Sequence, residues 1–271
     1  MNFKTSEYKI LKNDYLKFLK KKEAKGKPLI DKIVKFNKFY LPLSKWIYSI
    51  YSTDFKVKII GLSGGQGAGK STITAILKFI FKKKYGLDIC IFSIDDFYKT
   101  RNERKKMSKN FHPLFLTRGV PGTHDVNLLS KTLENLKKKK FKPVFIPRFD
   151  KSLDDRMKKS KWTKITKRPS IIIFEGWCIG AKYQKNEKLK KSLNFIEKKH
   201  DVDLKWRKKV NYELKNRYNK FFNKIDKLIY LKAPSFEYIF KWRLLQEKKL
   251  ELTSKNKEIM SKSKVREFIM Y

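Results

Sequence analysis

Apolar positions along the chain change their spacing several times, and each change predicts an element. Ile10, Leu11, Tyr15, Phe18 and Leu19 fall on one face of a basic helix. Tyr40 to Tyr51 is a second, more apolar helical segment, expected to pack on the domain that follows. From Lys56 the texture shifts. KVKIIGLS is a β-branched run ending in glycine, which predicts a strand and a turn. Ile73 to Phe81 reads as a buried helix closed by Gly86 as its C-cap. DICIFSI (Asp88 to Ile94), SIIIFEG (Ser170 to Gly176) and KLIYL (Lys227 to Leu231) are three further short runs. All are apolar on both faces, as strands of a covered parallel sheet are.

Helical spacing fills the intervals. Val126, Leu129, Leu133 and Leu136 line one face, and Trp206, Val210, Leu214 and Tyr218 line another. Pro234 can open a last long helix. Strand and helix alternate, so the predicted class is α/β, with a central, mainly parallel sheet flanked by helices. Residues 1–55 read as an N-terminal helical extension packed on an α/β domain at 56–271. The lysine-rich stretch from Lys182 to Lys199 reads as an exposed insertion.

The loop after the first strand, GLSGGQGAGKST, carries five glycines and one charge. Gly64, Gly69, Lys70 and Ser71 satisfy G-x-x-x-x-G-K-[ST], the phosphate-binding loop. Glycines let successive backbone N–H groups turn inward around a phosphate, and the following helix adds the positive end of its dipole. Gly64, Gly65, Gln66, Gly67, Ala68, Gly69, Lys70, Ser71 and Thr72 are the expected ATP-binding residues. The Lys70 ammonium reaches the terminal phosphates and the Ser71 hydroxyl holds magnesium. The pattern arises by chance in roughly one such chain in a hundred, before the strand and helix around it are considered.

Two acidic positions narrow the class. SIDDFYKT places Asp95 and Asp96 just past the second strand, at the mouth of an α/β sheet. A carboxylate there can accept or orient the proton of an attacking hydroxyl. The two are adjacent and point in different directions, so one alone is the base, and the sequence leaves open which. Glu175 ends an apolar strand, where a carboxylate is costly unless it faces a site; it suits a magnesium or water contact. NKID (Asn223 to Asp226) matches the guanine-reading letters of GTPases but precedes its strand, where theirs follows one, so it reads as the polar end of the Trp206 helix.

Composition changes this picture little. The formal charge is +42, which invites a nucleic-acid reading. Only ten of the 68 basic residues are arginine. Bidentate phosphate or base recognition favours arginine, so the lysines read as a solvated surface and no nucleic-acid partner is expected. Cys90 and Cys178 lie in or beside apolar runs and suit reduced thiols. No apolar run is long enough to span a membrane. The opening MNFKTSEYKILKND has neither a secretory nor a transit pattern, and the expected location is cytoplasmic.

With these residues in place, the chain resembles the phosphoribulokinase, uridine kinase and pantothenate kinase group of P-loop kinases. Within it, the D-glycerate 3-kinases of plant and fungal type, with their bacterial kinase-like relatives, are most similar. The stretches that carry the resemblance are YLPLSKWI, GGQGAGKST, SIDDFYKT, RGVPGTHD, IPRFDKS, DDR, FEGWCIG, KWRKKVN and FKWRLLQE, in order from about Tyr40 to about Glu247. The resemblance implies a three-layer P-loop kinase fold and ATP- and Mg2+-dependent phosphorylation of a small hydroxy acid, D-glycerate above others. It implies Lys70 on the phosphates, Ser71, Glu175 and Asp95 around magnesium, Asp95 on the acceptor hydroxyl, and Arg243 in a lid closing over ATP. A carboxylate-bearing acceptor calls for cations near the base, and Arg118, Arg148 and Lys151 are the candidates. His124 and Asp125 are substrate candidates too, though His124 can bond within its own turn and Asp125 can be an N-cap. Asp150 and Asp155 are read as orienting the basic residues, and Trp177 as a pocket wall or core. Against the family pattern the chain is expected to be short at its C-terminus. Two alternatives stay open: a kinase of this fold acting on uridine, cytidine or pantothenate, and a kinase-like protein that binds ATP without turnover.

Overall fold

A computed structural model describes residues 5–23, 30–253 and 260–270. The four predicted strands form one sheet. They are β1 (Lys58–Gly64), β2 (Ile89–Ser93), β3 (Ile171–Gly176) and β4 (Lys227–Leu231), in the order β2-β3-β1-β4. The architecture is α/β, a central parallel sheet flanked by helices. β1 and β4 run parallel, with Ile60 opposite Lys227 and Gly64 opposite Leu231. β3 is buried along its whole length and β1 from Ile59 onward, because helices cover both faces of the inner strands. β4 departs from the expectation. It is an edge strand, and Leu228 and Tyr230 are exposed. A continuous apolar run does not distinguish an edge from a centre.

NKID is a fastener for that edge. Asp226 accepts the Ile59 N–H through Oδ2 at 2.7 Å and returns its own N–H to the Ile59 carbonyl at 2.9 Å.

The chain divides into two compact units. The first holds residues 1–58, 71–90 and 169–172. In it, α1 (Thr5–Glu23) and α2 (Leu41–Tyr51) accompany α3 (Lys70–Tyr85). Leu11, Tyr15 and Leu19 of α1 form a core with Phe36, Ile76 and Ile80. Ile10 is exposed, one position off the buried stripe. Tyr48 of α2 stacks on Tyr85 at 4.3 Å. Gly86 ends α3 with φ +64, and the Leu87 N–H reaches back to the Phe81 carbonyl, a left-handed C-cap.

The second unit holds residues 59–70, 91–168 and 173–271. It contains α4 (Arg101–Asn110), α5 (Val126–Lys137), α6 (Lys205–Glu213), α7 (Phe236–Thr253) and α8 (Lys262–Phe268). Its core runs through aromatic contacts, Phe97 to Phe92 to Phe174 to Phe221 to Tyr218. The Trp206 stripe is longer than α6, which passes into a π-helical turn at Leu214–Tyr218 and a last turn at Asn219–Phe222. Pro234 stands two residues ahead of α7. The expected insertion at 182–199 is only partly exposed. Leu189 and Ile196 are buried, and the Leu189 carbonyl accepts from buried Arg207. Apolar residues this sparse in a lysine-rich stretch leave no periodic signal.

Candidate active site

Three groups meet at one end of the sheet because they follow or end three adjacent strands. The glycine loop follows β1, Asp95 and Asp96 follow β2, and Glu175 closes β3. This is the crevice at the carboxyl ends of strands where α/β proteins hold ligands.

The loop is shaped by its glycines. Gly67 has φ +79 and Gly69 has φ +83, a region L-residues rarely occupy. At Gly67 a β-carbon would lie 2.4 Å from Trp242 Cβ on α7. At Gly69 nothing lies within 4 Å. Gly67→Ala therefore combines strain and a clash, with an expected stability loss of about 1–3 kcal/mol. Gly69→Ala adds only backbone strain, about 1 kcal/mol. Denaturant midpoints of the two variants check the order. Lys70 opens α3, and its Nζ folds back onto the carbonyls of Gly64 and Gly65, at 2.8 and 3.0 Å. Burial lowers its pKa, while the charges of Glu175 and Asp95 hold it up. Ser71 and Thr72 follow on the first turn of α3 and are exposed.

The two aspartates separate. Ser93 caps the short 3-10 turn Ile94–Phe97, and Asp96 turns back to accept the Ser93 N–H at 3.3 Å, completing a capping box. Asp96 also meets Arg148 at 3.3 Å. Burial pushes its carboxyl up, against the pull of Arg148. Asp95 takes Lys151 Nζ at 2.7 Å and the Tyr98 hydroxyl at 3.1 Å. Burial raises its carboxyl too, but the charge and hydrogen bond of Lys151, with the Tyr98 hydroxyl, outweigh burial and hold it below the ordinary range. Glu175 is nearly buried, and its carboxyl is pushed up by burial despite Lys70.

The other candidates are placed unevenly. Arg148 and Lys151 reach the aspartate pair; Arg118 is tied instead to Asp154. The expectation for Asp150 and Asp155 changes accordingly. Asp154 is the carboxylate that orients Arg118, and Asp150 closes its own turn onto Ser152 and Leu153. Asp155 accepts from the N–H groups of Arg101 and Arg156. Asp125 is the N-cap of α5 through Oδ1 and accepts from Arg156 through Oδ2. His124 bonds not within its turn but to the Tyr218 hydroxyl, at 2.7 Å. Trp177 is part-exposed and donates to the Gly119 carbonyl. Arg243 lies on α7, paired with Glu247 at 2.5 Å and 5.6 Å from the Phe268 ring.

Arg104 is a residue that sequence reasoning missed. Fully buried, it donates to the carbonyls of Lys99, Leu116 and Asp154 and pairs with the Asp154 carboxylate. It thereby anchors the group that holds Arg118. Its spacing from Met107, three residues on and also buried, is the one available signal.

Chemically, the crevice offers a phosphate loop with its lysine, hard oxygen donors at Asp95 and Glu175, and an ionised carboxylate beside a lysine. The arrangement suits transfer of a phosphoryl group to a hydroxyl.

Proteins similar to this chain in sequence and fold carry the names of kinases. The model for the phosphoribulokinase / uridine kinase family matches residues 59–241. The uncharacterized kinase mug58 of Schizosaccharomyces pombe is 36% identical over 219 residues, 78% of this chain and 76% of that protein. The chloroplastic D-glycerate 3-kinase of Arabidopsis thaliana is 29% identical over 250 residues, 85% of this chain but 51% of its own length. A D-glycerate 3-kinase structure from Cryptococcus neoformans superposes with a TM-score of 0.74 at 25% identity, covering 86% of this chain and 85% of that one. The family match spans more than half of the chain, and this chain belongs to the phosphoribulokinase / uridine kinase family of P-loop kinases.

Proposed function

We propose that the protein transfers the γ-phosphoryl group of ATP to a hydroxyl of a small hydroxy acid, with D-glycerate, giving 3-phosphoglycerate, as the favoured acceptor. The observation that carries the acceptor class is the Lys151–Asp95 pair, 2.7 Å apart. It sets a cation for a substrate carboxylate against the carboxylate that takes the hydroxyl proton. Arg148, half-exposed beside Asp96, supplies a second cation, while Arg118 is held on Asp154 in the neighbouring loop. Nucleoside recognition would call for amide and aromatic groups in their place. The names of the relatives from Arabidopsis and Cryptococcus point the same way.

In this reading the glycine loop and Lys70 cradle the triphosphate. The acceptor carboxylate displaces Lys151 from Asp95 and is shared with Arg148. Asp95, ionised at neutral pH, receives the hydroxyl proton as the new P–O bond forms. The bond from the γ-phosphorus to its bridging oxygen breaks, and ADP leaves with the electron pair. Arg243 leaves Glu247 to reach the transferring group. Asp125 is framework here, since both its oxygens are engaged. Ser71, Asp95 and Glu175 are hard oxygen donors of the kind Mg2+ prefers. Bound there, the ion would neutralise charge on the β- and γ-phosphates.

The test is ADP release from ATP and Mg2+ with D-glycerate, L-glycerate, uridine, cytidine, pantothenate or no acceptor. Stimulation by D-glycerate above the others is the expected result. Stimulation by a nucleoside or pantothenate alone would overturn the acceptor assignment. ATP binding without stimulation by any of them would overturn the enzymatic reading.

A further inference from the structure

His124 is a buried imidazole held from one side only. It is 1% exposed. Its Nδ1 lies 2.7 Å from the Tyr218 hydroxyl, and the Gly122 N–H donates to that same oxygen at 2.9 Å. Among the described residues, none hydrogen-bonds the other ring nitrogen, Nε2, although it is buried. Proton accounting selects the tautomer. If Nδ1 carried the proton, the Tyr218 hydrogen would have no acceptor and the Nε2 lone pair no donor, leaving two groups unmet. If Tyr218 donates to Nδ1, only an Nε2–H remains unmet. Burial also keeps the ring uncharged, pushing its pKa down to about 3.

Two observations link the His124 ring to Asp95, the proposed base. The Tyr98 ring stacks on the imidazole at 4.4 Å, and the Tyr98 hydroxyl bonds Asp95. The two backbones are laced on either side, Lys99 N–H to the Thr123 carbonyl and Asp125 N–H to the Phe97 carbonyl. His124 thus stands one ring away from the proposed base. Tyr218 comes from the last position of a π-helical turn, Leu214–Tyr218, within an otherwise α-helical stretch. Such turns are rare and recur at functional sites.

We propose that His124 donates a hydrogen bond from Nε2 to a non-reacting hydroxyl of the acceptor, and that Tyr218 is the positioning residue that sets its tautomer. The proposal rests on the kinase reading above. The reacting oxygen is excluded as the partner, because it must keep a lone pair for phosphorus while giving its proton to Asp95. A neighbouring hydroxyl, such as that on C2 of glycerate, can accept the bond. His124 then determines specificity. A site built to bond a hydroxyl rejects the analogue that lacks it, since the donor is left unmet.

The experiment compares D-glycerate with 3-hydroxypropanoate, which lacks the C2 hydroxyl, in the full chain. For the wild type the expected preference in kcat/KM is about 100-fold or more. His124→Leu is expected to reduce it to within about tenfold, by losing rate with D-glycerate and not with the analogue. His124→Gln, whose amide can still donate, restores part of it. Tyr218→Phe raises the D-glycerate KM about tenfold while the KM for ATP is unmoved. Nitrogen-15 NMR of the wild-type histidines reads the tautomer without any variant, and the Nε2–H form is expected. An Nδ1–H signal overturns the proposal. So does a preference that survives in His124→Leu while the wild type is active, which leaves the kinase reading intact. A wild type that releases no ADP with D-glycerate overturns both.

Discussion

Asp95→Asn lowers kcat by about 10²- to 10⁴-fold, the range that general acid–base catalysis contributes. The substitution keeps the shape of the side chain. It removes the group that can take a proton and the charge that pairs with Lys151, while an amide oxygen can still accept from Tyr98. ATP binding is expected to survive, read as the rise in melting temperature on adding the nucleotide. Asp96→Asn is the control. Asp96 turns back onto the Ser93 N–H, so its loss is expected to cost about 1 kcal/mol of stability with a smaller effect on turnover. The pH dependence has a definite sign. Lys151 and its neighbours outweigh burial and hold the Asp95 carboxyl below the usual carboxylate range. In the free enzyme the base is therefore ionised throughout the neutral range, and its protonation limits kcat/KM, which reports the free enzyme, only at pH below that range. Normal turnover in Asp95→Asn would overturn the assignment.

Lys70→Met is expected to lower kcat by about 10²- to 10³-fold, the cost of removing one preorganised donor at a transferring group. Methionine keeps the length and the apolar stem, so the helix and its packing remain. What goes is the ammonium that bonds Gly64 and Gly65 and offsets Glu175 and Asp95. Lys70→Arg is expected to rescue little. A planar fork does not fold back onto two carbonyls as a compact ammonium does. Single-turnover rates with saturating ATP separate loss of chemistry from loss of binding, and activity within tenfold of wild type would remove Lys70 from the proposed mechanism.

Much of this could be read from the chain because the signals were local. Four short apolar runs marked the four strands of the sheet, and a glycine loop between strand and helix marked its ligand end. Asp95, Asp96 and Glu175 were legible because a carboxylate at the end of an apolar strand is costly without a purpose. What escaped depended on distant partners. Leu228 and Tyr230 look like core in sequence, yet their strand lies at the edge of the sheet. Arg104 sits in a run of charges that reads as a solvated face, yet it is fully buried against carbonyls from three loops. Arg118 is paired with Asp154, 36 residues away, and not with either aspartate that the motifs had suggested.

The sequence by itself determined the class, the phosphate loop and the acids at the strand ends, since each follows from backbone preference, periodicity or desolvation cost within a few residues. Only the tertiary structure decided which of Asp95 and Asp96 faces Lys151. It alone decided which carboxylate anchors each cation and which hydroxyl meets His124. Those choices turn on contacts between segments 31 to 94 residues apart, such as Arg156 with Asp125, Lys151 with Asp95 and Tyr218 with His124. No local pattern encodes a partner at that range. It is set by how the strands order themselves in the sheet and where the loops between them close.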